Sequence, residues 1–265
     1  MNIEFRLLGE LEARAADRRP VHLGHHRQRC VLAILLVEAN RTVGADQLAA
    51  RVWGDDPPPG ARGTLRSYLS RLRQALSPAG CLVERRWTGY AVAVDEESVD
   101  LHRFRRLVAQ ARRVGPGEPA MELLDEALRL WRGDAFATLD APWLNSLRET
   151  VARERLLTQL DRAELGLRRG RHAELLPELS ALRAAHPLDE RLVGQLMLAL
   201  YRCGHQAEAL IEYDRLRRSL AEEFGVDPVP DAQALHHAIL RADPELTAGA
   251  ADRTAGSRPF EFGRH

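Results

Sequence analysis

Residues 64–76 read TLRSYLSRLRQAL, and residues 85–94 read RRWTGYAVAV. In the first stretch Leu65, Leu69, Leu72 and Leu76 recur at i, i+4, i+7 and i+11, which predicts one apolar stripe on a helix over about 61–76. At about 100° per residue, the opposite face presents Gly63, Ser67, Ser70, Arg71 and Gln74, flanked by Thr64, Arg66 and Arg73. That face carries no acid. Small side chains between arginines suit a helix lying in a DNA major groove, where one guanidinium grips guanine O6 and N7 with two donors. In the second stretch, Ala91–Val94 pairs with Leu82–Val83 as a β-hairpin, with Arg85 and Arg86 near its tip.

Working outward, Ile3, Phe5, Leu7 and Leu11, then Val21 and Leu23, alternate with polar residues and predict short antiparallel strands. His25 to Asn40 turns helical, with Val31, Leu32, Leu35 and Leu36 inward. A second helix, Ala45–Trp53, ends at Gly54, and Asp55–Gly60 is a proline-rich turn. Strands, helix, short helix, turn, polar-faced helix and basic hairpin describe a winged helix-turn-helix.

Downstream the chain is helical and repeats. Residues 168–183 (RRGRHAELLPELSALR) align with 202–217 (RCGHQAEALIEYDRLR) at an offset of 34, with Gly170/Gly204, Ala173/Ala207, Glu174/Glu208 and Leu182/Leu216 identical. Thirty-four is the tetratricopeptide period. Leu123, Ala127, Leu130 and Trp131 suggest an earlier, degenerate pair. Pro177 departs from a clean repeat, because a mid-helix proline costs about 3 kcal/mol unless the helix kinks. Asp231 is expected to cap a last helix to about Arg241. The fold class expected is therefore multidomain: an α+β winged helix over 1–98, an all-α tetratricopeptide-like domain over 99–245, and a disordered tail over 246–265, with Phe260 and Phe262 in that tail.

The segments LAARVWGDDPP (48–58), SRLRQAL (70–76), GYAV (89–92) and VDLHRF (99–104) together resemble the AfsR/SARP family of antibiotic regulatory activators, whose DNA-binding domain is of the OmpR type. GVDPVPDAQALHHAILRADPEL (225–246) resembles the end of the family's bacterial transcriptional activation domain. The resemblance implies that Arg71 reaches bases or phosphates, that Arg73 meets a phosphate, and that Arg86 sits where related wings insert an arginine into the minor groove. Trp87 stands where a glycine is frequent in that pattern. On the residues themselves, Thr64 and Ser67 lie one turn apart near the helix N-terminus, placed to read bases or bond phosphates. Arg62 and Arg66 anchor phosphates, and Ser70, Arg85 and Thr88 complete the candidate DNA-binding set. Tyr90 and Trp53 read as packing residues. The resemblance further implies promoter direct repeats near the −35 element, RNA polymerase sigma and alpha subunits as partners, homodimers on double-stranded DNA, and a secondary-metabolite cluster as the regulated target.

Composition limits the alternatives. The 265 residues carry 38 basic and 38 acidic side chains, and every basic one is arginine. The absence of lysine removes Schiff-base, Walker and kinase-lysine chemistry. Residues 1–98 hold 14 arginines against 12 acids, so a sequence-blind polycation is excluded, yet residues 58–90 hold six arginines against Glu84. The longest aliphatic run, Val31–Val37, is too short to span a membrane. MNIEFRLLGE lacks the basic-then-apolar order of a secretory leader, so a cytoplasmic, nucleoid-associated protein is expected. Cys30, Cys81 and Cys203 fit neither a disulfide framework nor a metal motif; His22, His25 and His26 lack a ligand set; and the adjacent His236 and His237 point to different faces. No catalytic motif, cofactor site or metal site is expected. The competing reading is a tetratricopeptide protein-interaction adaptor without specific DNA binding.

Overall fold

The structure, a computed structural model, describes residues 3–247; the expected tail beyond Thr247, including Phe260 and Phe262, lies outside the described residues. Two compact units divide the chain, one running to Thr158 and the other from Gln159.

In the first unit, β1 (Ile3–Arg6) and β2 (Glu12–Ala15) form the expected antiparallel ribbon. Next come α1 (His26–Val37), β3 (Val43–Gly44), α2 (Ala45–Trp53), α3 (Ala61–Leu76), β4 (Leu82–Arg86) and β5 (Gly89–Ala93). Cys30 through Leu36 are all buried, so α1 is the central post, against which α2, α3 and β5 pack. The predicted stripe on α3 is the buried one: Leu65, Leu69, Leu72 and Leu76 face the core. This is a winged helix-turn-helix.

The hairpin differs from its sequence reading. Its strands are longer than expected and its turn is only Trp87–Thr88, with Arg85 opposite Tyr90 and Arg86 opposite Gly89. The two-residue β3 pairs with the other side of β5, placing Gly44 opposite Gly89 and giving the sheet order β3-β5-β4. A Cβ at Gly89 would lie 2.0 Å from the Val43 carbonyl oxygen, so this pairing requires glycine.

The segment VDLHRF opens α4 (Asp100–Val114) and acts as a joint. Val99, Leu101 and Phe104 are buried, and the Asp100 carboxylate accepts the Leu7 N–H at 2.6 Å and the Leu8 N–H at 3.0 Å. His102 Nε2 donates to the Leu36 carbonyl at 2.8 Å. On the far side of the same strand end, the N–H groups of Arg132 and Phe136 donate to the Leu8 and Leu7 carbonyls. Residues 99–158, including α5 (Glu118–Arg129), therefore fold with the first unit, and the position 98/99 falls inside this joint. The buried stripe of α5 is Ala120, Met121, Leu124 and Ala127, while Trp131 lies past the helix end and meets Phe104 edge to face.

α6 (Pro142–Arg168) carries the division between the units. The second unit continues with α7 (His172–Ala185), α8 (Glu190–Arg202), α9 (Gln206–Phe224) and α10 (Pro230–Leu240). The 34-residue repeat holds at the level of single hydrogen bonds. The Gly170 and Arg171 N–H groups donate to the Leu167 and Gly166 carbonyls, and those of Gly204 and His205 donate to Tyr201 and Leu200. This is the Schellman closure, and both glycines adopt the left-handed conformation it needs, at φ 77° and 85°. α7 runs through Pro177 as one helix. α10 begins two residues earlier than expected: Pro230 takes the first helical position, with Val229 rather than Asp231 at the N-cap and Asp231 in the first turn. Leu246 is buried at the end of a final 3-10 turn.

Two outcomes test this architecture. Gly89→Ala should cost on the order of 3 kcal/mol in denaturant unfolding, because β3 must move away, whereas Gly63→Ala, whose Cβ meets nothing within 4 Å, should be neutral or stabilising. Burial pushes the Asp100 carboxyl up from its ordinary 3.8 to about 6, against the two backbone donors and Arg132. The folded chain thus holds that proton more tightly than the unfolded one. The contribution of Asp100 to stability grows as pH falls from 7 towards 4 and is lost as pH rises through about 6. The stability difference between wild type and Asp100→Asn, followed by thermal unfolding, should widen in favour of wild type between pH 7 and pH 5.

Candidate nucleic-acid interface

The seat of the site is α3. Its four leucines fix the inner face, and Gly60 in the left-handed region starts the helix, accepting the Gly63 and Thr64 N–H groups. Tyr68 lies between Trp53, stacked at 6.4 Å, and His25, edge-on at 4.8 Å, which ties α3 to α2 and to the start of α1. His26 accepts the Asp140 N–H. Among the described residues no group of three His, Cys, Asp or Glu side chains could hold a metal. Burial pushes the Cys30 thiol up to about 11 and the Cys81 thiol up to about 12, so neither is a thiolate nucleophile.

The outer face carries the candidates. Arg62, Arg66, Ser67, Ser70, Arg71 and Arg73 are exposed, and Thr64 is half-buried beside Leu65. Their circumstances differ. Arg71 and Arg85 make no side-chain hydrogen bond or ion pair among the described residues. Arg62 pairs with Asp46 at 2.6 Å, both ends in open solvent, and Arg66 Nε donates to the Arg62 carbonyl. Ser67 Oγ bonds back to the Gly63 carbonyl. Arg73 Nε donates to the Val83 carbonyl at 2.8 Å, so this arginine fastens β4 to α3.

On the hairpin, Arg85, Arg86, Trp87 and Thr88 are all exposed, but the Arg86 guanidinium turns back onto the body. Its guanidinium meets Glu84 Oε2 at 3.1 Å, the Asn40 carbonyl at 3.0 Å and Thr42 Oγ1 at 3.3 Å. Asn40, in the left-handed conformation at φ 64°, also accepts the Val94 N–H through its side chain. As a stretch of sequence Asn40 reads only as a helix stop; its bracing of the hairpin depends on partners 46 and 54 residues away. Asp46, the acid that holds Arg62, was likewise not legible as part of this surface, and Glu84 was legible as the one acid of residues 58–90 but not as the partner of Arg86. Tyr90 is buried, as a packing residue should be.

The second unit offers a different surface. A groove of about 490 Å³ opens among α7, α8 and α9, floored by Leu196, Leu200 and Ile211. Glu212 lies between Arg183 and Arg215 along it, at 3.1 and 2.5 Å.

Residues 99–240 match the family described as bacterial transcriptional activator domain, and residues 18–92 match transcriptional regulatory protein, C terminal. The chain is 43% identical to regulatory protein AfsR of Streptomyces coelicolor, covering 98% of this chain and 27% of that protein. It is 37% identical to regulatory protein DnrI of Streptomyces peucetius, covering 83% of this chain and 86% of that protein. It spans about a quarter of the length of the AfsR proteins it matches. The solved structure of Mycobacterium tuberculosis EmbR in complex with a low affinity phosphopeptide superposes with a TM-score of 0.86 at 33% identity, over 94% of this chain and 69% of that one. Among the described residues no helix is long and apolar enough to cross a membrane.

If Arg73 is a structural tie, Arg73→Ala should destabilise the first unit by about 1.5 kcal/mol and raise amide exchange across β4. Unchanged exchange at Val83 and Glu84 would show that the tie carries nothing.

Proposed function

The chain belongs to the SARP family of bacterial transcriptional activators, and from that membership we propose that it is a sequence-specific DNA-binding activator of a secondary-metabolite gene cluster. The observation that carries the reading is the outer face of α3: free of acids, lined by hydroxyls and arginines, and seated on four buried leucines beside a braced hairpin.

In this reading α3 enters the major groove. Arg71, which has no internal partner to give up, reads a base edge, with Thr64, Ser67 and Ser70 beside it. Arg62, Arg66 and Arg73 lie along phosphates, and Arg85, Arg86 and Thr88 bring the hairpin against the neighbouring backbone. Residues 1–98 form the DNA-binding domain and residues 99–245 the activation domain, in which the groove among α7, α8 and α9 is a surface for sigma or alpha subunits of RNA polymerase. Homodimers occupy promoter direct repeats near the −35 element, in the cytoplasm and on the nucleoid. The family and the relatives are transcriptional regulators rather than enzymes.

Salt titration of promoter binding tests the reading. Each phosphate contact contributes about −0.9 to the slope of log affinity against log salt. Arg66→Ala should weaken binding evenly across sequences and flatten that slope by about one unit. Arg71→Ala should cost about 1–3 kcal/mol and relax preference at one or two base positions. If neither substitution changes binding, α3 is not the reading element.

A further inference from the structure

Trp87 is the first residue of the two-residue turn that ends the hairpin, and at 102% exposure no described residue covers any of it. A single exposed apolar side chain is ordinary on a protein surface. This one differs in how it is supported and in its company. The hairpin beneath it is fastened on three sides: by Arg73 to the Val83 carbonyl, by the β3 pairing at Gly89, and by Arg86 to Asn40 and Thr42. The indole is thus held out on a fixed arm, next to Arg85, a cation with no internal partner, and Thr88.

Arg86, the residue at the position where related wings reach into the groove, is directed the other way. Glu84 on its own strand and two acceptors on the body of the unit, the Asn40 carbonyl and Thr42 Oγ1, hold its guanidinium, and it cannot brace the hairpin and enter a groove at once. On these grounds, and resting on the DNA-binding reading above, we propose that Trp87 is the side chain that enters the minor groove beside the site of α3, with Arg86 as its brace. The chemistry fits. The groove walls are apolar deoxyribose edges that a flat ring can cover, and the groove floor offers adenine N3 and thymine O2 as acceptors for the indole N–H. Apolar side chains pressed between base steps are an established way for proteins to hold this groove. The flanking Arg85 matches the polyanion on either side.

The experiment uses the full chain and a duplex enriched from a random-sequence pool by the wild-type protein, with binding measured across a salt series. Trp87→Ala should lose about ten-fold in affinity, in the range of aromatic contacts to bases, with no change in salt slope, because an apolar contact releases no counterions. Trp87→Phe should recover most of the loss, and the thermal midpoint should not move for either variant, since the side chain packs on nothing. The penalty should persist when A·T pairs beneath the hairpin are replaced by inosine·cytosine, which keeps the minor-groove pattern, and shrink when they become G·C. A Trp87→Ala affinity equal to wild type overturns the proposal, as does a loss accompanied by a flatter slope. A loss seen only on DNA with two half-sites also overturns it, by assigning Trp87 to a contact between protomers. A pool from which the wild-type chain enriches nothing defeats the DNA-binding reading and this inference with it; enrichment with any of the three preceding results defeats the inference while leaving that reading intact.

Discussion

The close approach of β3 to β5 is the constraint on which the working surface of the first unit depends. Only hydrogen fits between the Gly89 α-carbon and the Val43 carbonyl, so β5 can pair on both edges and the hairpin becomes part of a three-stranded sheet. A two-stranded hairpin by itself is marginal in water. Once β5 is fixed, Asn40 can take the Val94 N–H with its side chain and the Arg86 guanidinium with its carbonyl. The bond from Arg73 to Val83 closes the frame from the α3 side. The course of the hairpin backbone follows from these few bonds.

The arginines of this surface form a graded set. Arg71 and Arg85 have no partner to release. Arg62 and Arg86 are tethered to Asp46 and Glu84 by ion pairs that are open to water. Such pairs are worth about 0–1 kcal/mol and exchange readily for a stronger anion. Arg86 has two further bonds to the body, and Arg73 belongs to the frame through its Nε. Equal formal charges along the sequence therefore become unequal in availability. On this surface of a chain with no net charge, the cations left without a partner, Arg71 and Arg85, are those that no neighbouring acid engages.

What could be read from the sequence was what repeats locally. The leucines of α3 announce both its buried and its exposed face, because helical geometry leaves them no other arrangement. The offset of 34 announces the helix pairs of the second unit. The rest depended on partners distant along the chain. β3 is two residues long and has no pattern of its own. Asp100 stands in the sequence only as one letter of VDLHRF, yet its partners are the backbone amides of Leu7 and Leu8, 93 and 92 residues away. That joint is why residues 99–158 fold with the first unit, a placement no composition shift near residue 98 signals. For the candidate site, exposure was legible at nearly every position, while tethering was not: neither the brace on Arg86 nor the bare tip at Trp87 could be seen until the turn proved to be two residues long.

The paired glycine turns of the second unit bear on how such a chain can change size. Gly170 and Gly204 close onto carbonyls placed 34 residues apart, with the same two bonds at each joint. Each joint therefore closes its helix end in the same way, with bonds that reach no further than its own turn. A stack built of like tiles has no preferred length: recombination at a joint can add or remove a tile and leave the remaining joints as they were, with only the end tiles needing a solvent-tolerant face. The same rule makes the end tile the place where melting begins and from which it travels inward, one step at a time.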